Sequence, residues 1–406
     1  MSRRIAVFTG NRAEYGLLFP ILKSIKNHPE LDLQLVVAGA HLDPNFGQSM
    51  SEILSDGFKV DAEAQIDLGS DEAIATPRAI ATGILSISNI LQELNPDIFV
   101  VYADRFEGFA AIIAASQMNI PVAHIEGGDI TEGGALDDSV RHAMTKLAHI
   151  HFTTNQQASN RLLAMGEEDW RVHTAGFPAI DMILNGEVED PQVLEKKYNL
   201  DQSRPVILFT QHSITTEYEE AEKQLGPSLR ALEKLANEGI DVIVTFPNND
   251  VGGFTITEYI ERFFTNTPTN MMLHKSLGRY NYHGILALSK HPSWRVVCAG
   301  NSSSGIKETP IFGCPTVNIG SRQQGRLRGD NVIDANYDEG EIYQAIHKAL
   351  FDESFREQCR NTENPYGGGE AGKTIAEALF TIPLDRKRLL RKKMTLKGEA
   401  NDGWYQ

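Results

Sequence analysis

"DIFVVYADRFEGFAAIIAASQMNIPVAHIEG", residues 97–127, changes its hydrophobic period twice within one short span. "DIFVVYAD" (97–104) and "PVAHIEG" (121–127) are short apolar runs, while "FEGFAAIIAASQMNI" (106–120) is apolar at helical spacing. A strand, a crossover helix and a second strand form a βαβ unit, and that unit implies a parallel sheet buried on both faces. Both runs end on charged residues: Asp104 and Arg105 after the first, Glu126 after the second.

The same alternation extends in both directions. Upstream, "IAVFTG" (5–10) and "LQLVVAG" (33–39) are candidate strands, with the helical pattern "GLLFPILKSIKNHP" (16–29) between them. Downstream come "IHFTTN" (150–155) and "RVHTAG" (171–176). After the polar "GEVEDP" (186–191) the series restarts with "PVILFTQH" (205–212), "DVIVTFP" (241–247), "MMLHK" (271–275), "RVVCAGN" (295–301), "PTVNIG" (315–320) and "NVIDA" (331–335). Two such series predict an α/β chain of two Rossmann-like, doubly wound domains facing across a cleft. The expected divisions are 1–177, 178–365, a helical segment 366–385 that packs back across the domains, and a tail 386–406. The tail "LDRKRLLRKKMTLKGEANDGWYQ" mixes basic and polar residues and reads as frayed or weakly docked.

Composition narrows the function. The chain has 406 residues, 38 Lys+Arg against 54 Asp+Glu, and a formal charge of −16. Such a chain is a poor non-specific binder of nucleic acid, so an anionic ligand requires locally gathered positive charge. Cys298, Cys314 and Cys359 have no metal-ligand spacing, and a reducing cytoplasm is expected. No run approaches the ~18 apolar residues of a membrane span. Neither a metal nor a cofactor is expected.

Ligands of doubly wound sheets bind outside the carboxyl ends of the strands. Arg12, His41, Asp104, Arg105 and Glu126 fall at such ends in the first series, and His212, Asn248 and His274 in the second. "HIEGGDITEGGALDDSV" (124–140) adds Asp137 and Asp138 at a helix start, a set of carboxylates suited to acid and base work. "CAGNSSSGIKE" (298–308) leads from a strand through Gly and Ser302, Ser303 and Ser304 into a helix, as anion sites do, although Ser capping explains the same pattern. Pro310 should shorten that helix. Glu308 is placed to accept ribose hydroxyls, and Arg322, Arg326 and Arg328 add positive charge after a later strand. "GGGEAGKT" (367–374) fits the phosphate-loop pattern, but no strand precedes it and no Asp-ended strand follows, so a Gly-rich turn before a helix is expected.

"GNRAEYG" (10–16), "YADRFEGFAAII" (102–113), "HIEGG" (124–128), "LDDSVRHAMTKLAH" (136–149), "TQHSITTE" (210–217), "GNSSSGIKE" (300–308) and "GSRQQGR" (320–326) together resemble the hydrolysing UDP-N-acetylglucosamine 2-epimerases of sialic acid biosynthesis. The resemblance implies a glycosyltransferase-B-like fold, with catalytic carboxylates in the first domain and UDP binding in the second. It implies elimination of UDP to a 2-acetamidoglucal, then addition of water to give N-acetylmannosamine. The catalytic group it implies is Asp104, Glu126, Asp137 and His212. The substrate-binding group is Arg12, Arg105, Asp138, Asn248, His274, Ser302, Ser303, Glu308 and Arg322. A homodimer or homotetramer is expected. The insertion "TEGGAL" (131–136) keeps the related enzyme of legionaminic acid biosynthesis, acting on UDP-N,N′-diacetylbacillosamine, as an alternative. A non-catalytic sugar-nucleotide-binding protein on the same scaffold is a further one.

Overall fold

Consecutive buried residues along one strand require cover on both faces of the sheet. In the computed structural model, β1 (Arg3–Thr9) sends Ile5 and Val7 into one core and Ala6 and Phe8 into another. β4 (Ile98–Tyr102) does the same, with Ile98, Val100 and Tyr102 on one side and Phe99 and Val101 on the other. The structure describes residues 2–42, 50–67, 74–130, 136–186, 188–247 and 252–395.

The chain divides into two units, one comprising Met1–Asp129, Leu136–Asp181 and Tyr366–Gln406, the other Ile130–Ala135 and Met182–Pro365. The first unit adds β2 (Leu31–Ala38), β3 (Ala62–Ala64), β5 (Val122–Ile125), β6 (Ile150–Thr153) and β7 (Val172–Thr174). Its sheet runs β3-β2-β1-β4-β5-β6-β7, parallel throughout. The second unit contains β8 (Val206–Thr210), β9 (Asp241–Thr245), β10 (Met271–His274), β11 (Val296–Gly300), β12 (Thr316–Ile319) and β13 (Val332–Ala335). They pair in the order β10-β9-β8-β11-β12-β13, again all parallel. Both sheets are therefore doubly wound, as expected. The strand order reverses between β1 and β4 in one and between β8 and β11 in the other, the crevice where such sheets take ligands.

β3 was not foreseen. Its three residues, Ala-Glu-Ala, carry neither an apolar run nor a β-branched side chain, and pairing of Ala62 and Ala64 with Val36 and Ala38 places it at the sheet edge. The frayed reading of the tail fails over residues 386–395. Leu389 is fully buried in the first unit, and the Arg171 guanidinium donates to the carbonyls of Leu389 at 2.8 Å and Arg388 at 2.9 Å. A basic segment docks here because one buried Arg satisfies its backbone and one Leu enters the core. Among the described residues no helix is long and apolar enough to cross a membrane.

Candidate active site

In the first unit the ends of β4 and β5 carry the acidic groups, and both turns are strained. Ala103 (φ +54°) and Glu126 (φ +65°) take the left-handed conformation that non-glycine residues avoid. Two contacts hold Ala103: its amide donates to Ile125 at 3.0 Å, and His124 Nε2 lies 2.6 Å from its carbonyl. The Glu126 amide donates to Phe152 at 2.8 Å. These turns place Asp104 and Glu126 just past the ends of β4 and β5. Tyr102 adjoins Glu126, and burial, then that neighbouring charge, pushes its phenol well above the usual pKa, so it stays neutral.

The helix Leu136–Leu147 brings the third set. Of its two adjacent acids, Asp137 is exposed and Asp138 is buried. One turn on, Arg141 binds the carboxylates of both Asp138, at 3.0 Å, and Asp104. It also donates to the Asp129 carbonyl at 2.8 Å. Asp129 is itself fixed by Thr154 at 2.8 Å and Asn155 at 3.1 Å. A 4% exposed guanidinium thus ties together acids from the β4 end and the helix start. Arg141, Asp129, His124 and Tyr102 were not singled out as site residues. All four lie inside the quoted motifs, but an Arg in mid-helix and a Tyr ending a strand read as ordinary from spacing alone.

Arg12 opens the helix Arg12–Asn27 and pairs with Glu52 at 2.8 Å while remaining 72% exposed. Arg105 precedes the helix Phe106–Gln117 and lies 3.4 Å from Glu107, which is buried. Glu14 is buried nearby, and burial, then the charge of Glu107, raises its pKa well above the ordinary range. His41 is a core residue bonded to Thr9 at 3.0 Å.

The second unit assembles its polar groups at the β8–β11 reversal. Gly300 (φ +118°) passes so close to β8 that a Cβ would fall onto the Thr210 carbonyl. That approach lets the buried Asn301 clasp the His212 peptide from both sides, accepting from its amide at 2.6 Å and donating to its carbonyl at 2.9 Å. Arg322 and Gln323 both donate to the Asn301 carbonyl, at 3.1 and 2.8 Å. His212, Asn301 and Arg322 are thereby one cluster. Ser302 and Ser303 follow, half-buried. The helix they open, Ser304–Lys307, is a single turn that ends before Pro310, so its amides supply little dipole.

Glu308 is oriented by Ser304 at 2.7 Å and His283 at 2.9 Å, both on Oε2. Burial tends to raise its pKa, but these donors win and lower it. His274 ends β10 with its ring edge-on to Tyr198 at 5.2 Å, and burial lowers its pKa. Arg326 donates to the distant Ile130 carbonyl at 2.9 Å, and Arg328 pairs locally with Asp334. Asn248 lies outside the described residues. The phosphate-loop match is filled from within: the carboxylate of Asp181 accepts from the amides of Ala371 at 2.9 Å and Gly372 at 2.8 Å. Among the described residues no group of three or more His, Cys, Asp or Glu side chains is placed to hold a metal ion.

Two parallel, doubly wound α/β units with polar clusters at their strand reversals define a two-domain fold of the glycosyltransferase-B type. Its likeness among solved structures includes a Neisseria meningitidis UDP-GlcNAc 2-epimerase bound to UDP-GlcNAc, with TM-score 0.79, 20% identity, 93% of this chain and 99% of that one covered. The UDP-N-acetylglucosamine 2-epimerase pattern matches residues 23–380, and the chain belongs to that family. A Legionella pneumophila UDP-N,N′-diacetylbacillosamine 2-epimerase (hydrolyzing) is 33% identical over 384 residues, 95% of this chain and 97% of that protein. A UDP-N-acetylglucosamine 2-epimerase of Neisseria meningitidis serogroup B is 32% identical over 350 residues, 86% and 87% of the two chains.

Proposed function

We propose that this protein is a hydrolysing UDP-N-acetylglucosamine 2-epimerase. The observation that carries the reading is the clasp of Arg141 on Asp104 and Asp138, with Asp137 beside Asp138 and Glu126 at the end of the neighbouring strand β5. A carboxylate of this set removes the C2 proton of the sugar. The C2–H electrons form the C1=C2 bond, and the anomeric C–O bond breaks with its pair leaving on UDP. In the second step water adds its oxygen to C1, and a proton enters C2 from the opposite face, giving N-acetylmannosamine. General acid–base groups of this kind contribute typically about 10²–10⁴-fold each.

The second unit holds the departing nucleotide. Arg322, Ser302 and Ser303 suit the diphosphate, Glu308 the ribose hydroxyls, and His212 the charge that develops as the bond to UDP breaks. Arg12, Arg105, Asn248 and His274 complete the proposed binding set. A second reading, with UDP-N,N′-diacetylbacillosamine as substrate, is favoured by the Legionella relative of that name. Incubation with each UDP-sugar in D2O, followed by NMR of the released sugar, separates them. N-acetylmannosamine deuterated at C2 is expected from UDP-N-acetylglucosamine. Product retaining its C2 hydrogen would exclude elimination and leave simple glycosidic hydrolysis.

A further inference from the structure

The helix that carries Asp137, Asp138 and Arg141 is gripped at its far end by the segment 386–395. The Lys392 ammonium donates to the carbonyls of Thr145 at 3.0 Å, Lys146 at 3.1 Å and Ala148 at 2.8 Å. These are the last carbonyls of the helix Leu136–Leu147 and the residue after it, which lack intrahelical partners and favour a cation. Lys392 also pairs at 2.7 Å with Glu167, whose side chain is fully buried and meets Lys146 at 2.8 Å and His151 at 3.0 Å. The segment is anchored on either side of Lys392. Arg171 holds the carbonyls of Arg388 and Leu389, and Thr395 donates to Gly166 at 2.8 Å.

The contact continues to the acids. The residue under Lys392, Thr145, donates from its hydroxyl to the Arg141 carbonyl at 3.1 Å. The same hydroxyl lies 3.5 Å from His124 Nδ1, and His124 Nε2 meets the carbonyl of the strained Ala103, which precedes Asp104. One end of this path is Lys392 and the other is the Arg141–Asp104 pair, reached by two routes.

We propose that Lys392 is a positioning residue for the carboxylate set, acting through Thr145 on Arg141 and, through His124, on the turn that leads into Asp104. The proposal rests on the functional reading above only for its effect on turnover. A remote loss that shifts reacting groups by about 1 Å can cost up to ~10²-fold in rate.

Lys392→Met should lower the turnover number for UDP release about tenfold or more, with KM and UDP affinity within about twofold of the parent. Lys387→Met, on an exposed residue of the same segment, should change neither. Amide exchange should quicken in peptides covering both 136–147 and 102–106. Faster exchange confined to 136–147, or unchanged turnover in a folded Lys392→Met, would overturn the proposal. If that variant does not fold, Glu167→Gln keeps the Lys392 carbonyl contacts and should give a smaller loss with the same split between turnover number and KM; a change in KM alone would overturn it. A parent protein inert towards every UDP-sugar would refute the functional reading, and exchange at 102–106 would still decide the fate of the positioning path.

Discussion

Arg141 faces two acids, and its removal would leave them facing each other. Asp104 and Asp138 are 17% and 8% exposed at their side chains, so water cannot fully replace the guanidinium. Breaking a buried pair by deleting one partner typically costs about 3–5 kcal/mol. Arg141→Met should therefore lower the stability of the first unit by roughly 3 kcal/mol in urea titrations. A loss below about 1 kcal/mol would mean that the acids are already solvated. Asp104→Asn keeps the shape and removes the charge. It should cut turnover about 10²-fold or more and leave UDP affinity largely intact, because Arg322, Ser302, Ser303 and Glu308, proposed to hold the diphosphate and ribose, lie on other elements. An equal fall in UDP affinity by calorimetry would move Asp104 into the nucleotide site. At this scale the sequence marked Asp104, Glu126, Asp137 and Asp138, since acids after apolar strands stand out. It did not mark which of the adjacent Asp residues turns inward, because helix phase against a neighbour is a packing property. Asn248 shares the marking but lies outside the described residues.

Strands were legible because their apolar runs need two covered faces, and every observed strand apart from the three-residue β3 corresponds to an expected run. The one-turn helix after Ser303 was legible too, since Pro310 was expected to shorten it and the helix ends at Lys307. The phosphate-loop match shows how a motif is decided by its neighbours. Asp181 supplies the anion at the start of the helix Ala371–Thr381, while Lys373 is exposed beside Glu370 at 3.4 Å. Burial lifts the pKa of Asp181 above the ordinary carboxylate value, and its two amide donors offset only part of that. Asp181→Ala should cost about 1–2 kcal/mol, as loss of a helix N-cap does, whereas Lys373→Ala should leave both stability and UDP release unchanged. Loss of activity in Lys373→Ala, with ATP binding lost as well, would restore the phosphate-loop reading.

Across the whole chain, neutral histidines are concentrated in the first unit. Burial lowers His41, His149 and His151 to about 4 and His124 to about 3, from an ordinary 6.5. The folded state then binds fewer protons than the unfolded state throughout that interval. Their contribution to stability is complete above about pH 6.5 and is lost as pH falls through 4 towards 3. Peptide-resolved hydrogen exchange across this window should show the first unit opening before the second; simultaneous opening, or the second unit first, would contradict the assignment. The first unit is also interrupted along the chain, because Ile375, Ala376, Leu379 and Leu389 complete a core begun by Ile5 and Val7. On a ribosome adding about 5–20 residues per second, residues 182–365 are made before those four side chains exist. The later stretch of chain can thus finish folding while the earlier one waits with an apolar face open, so the nascent protein needs shelter for a surface made first and closed last.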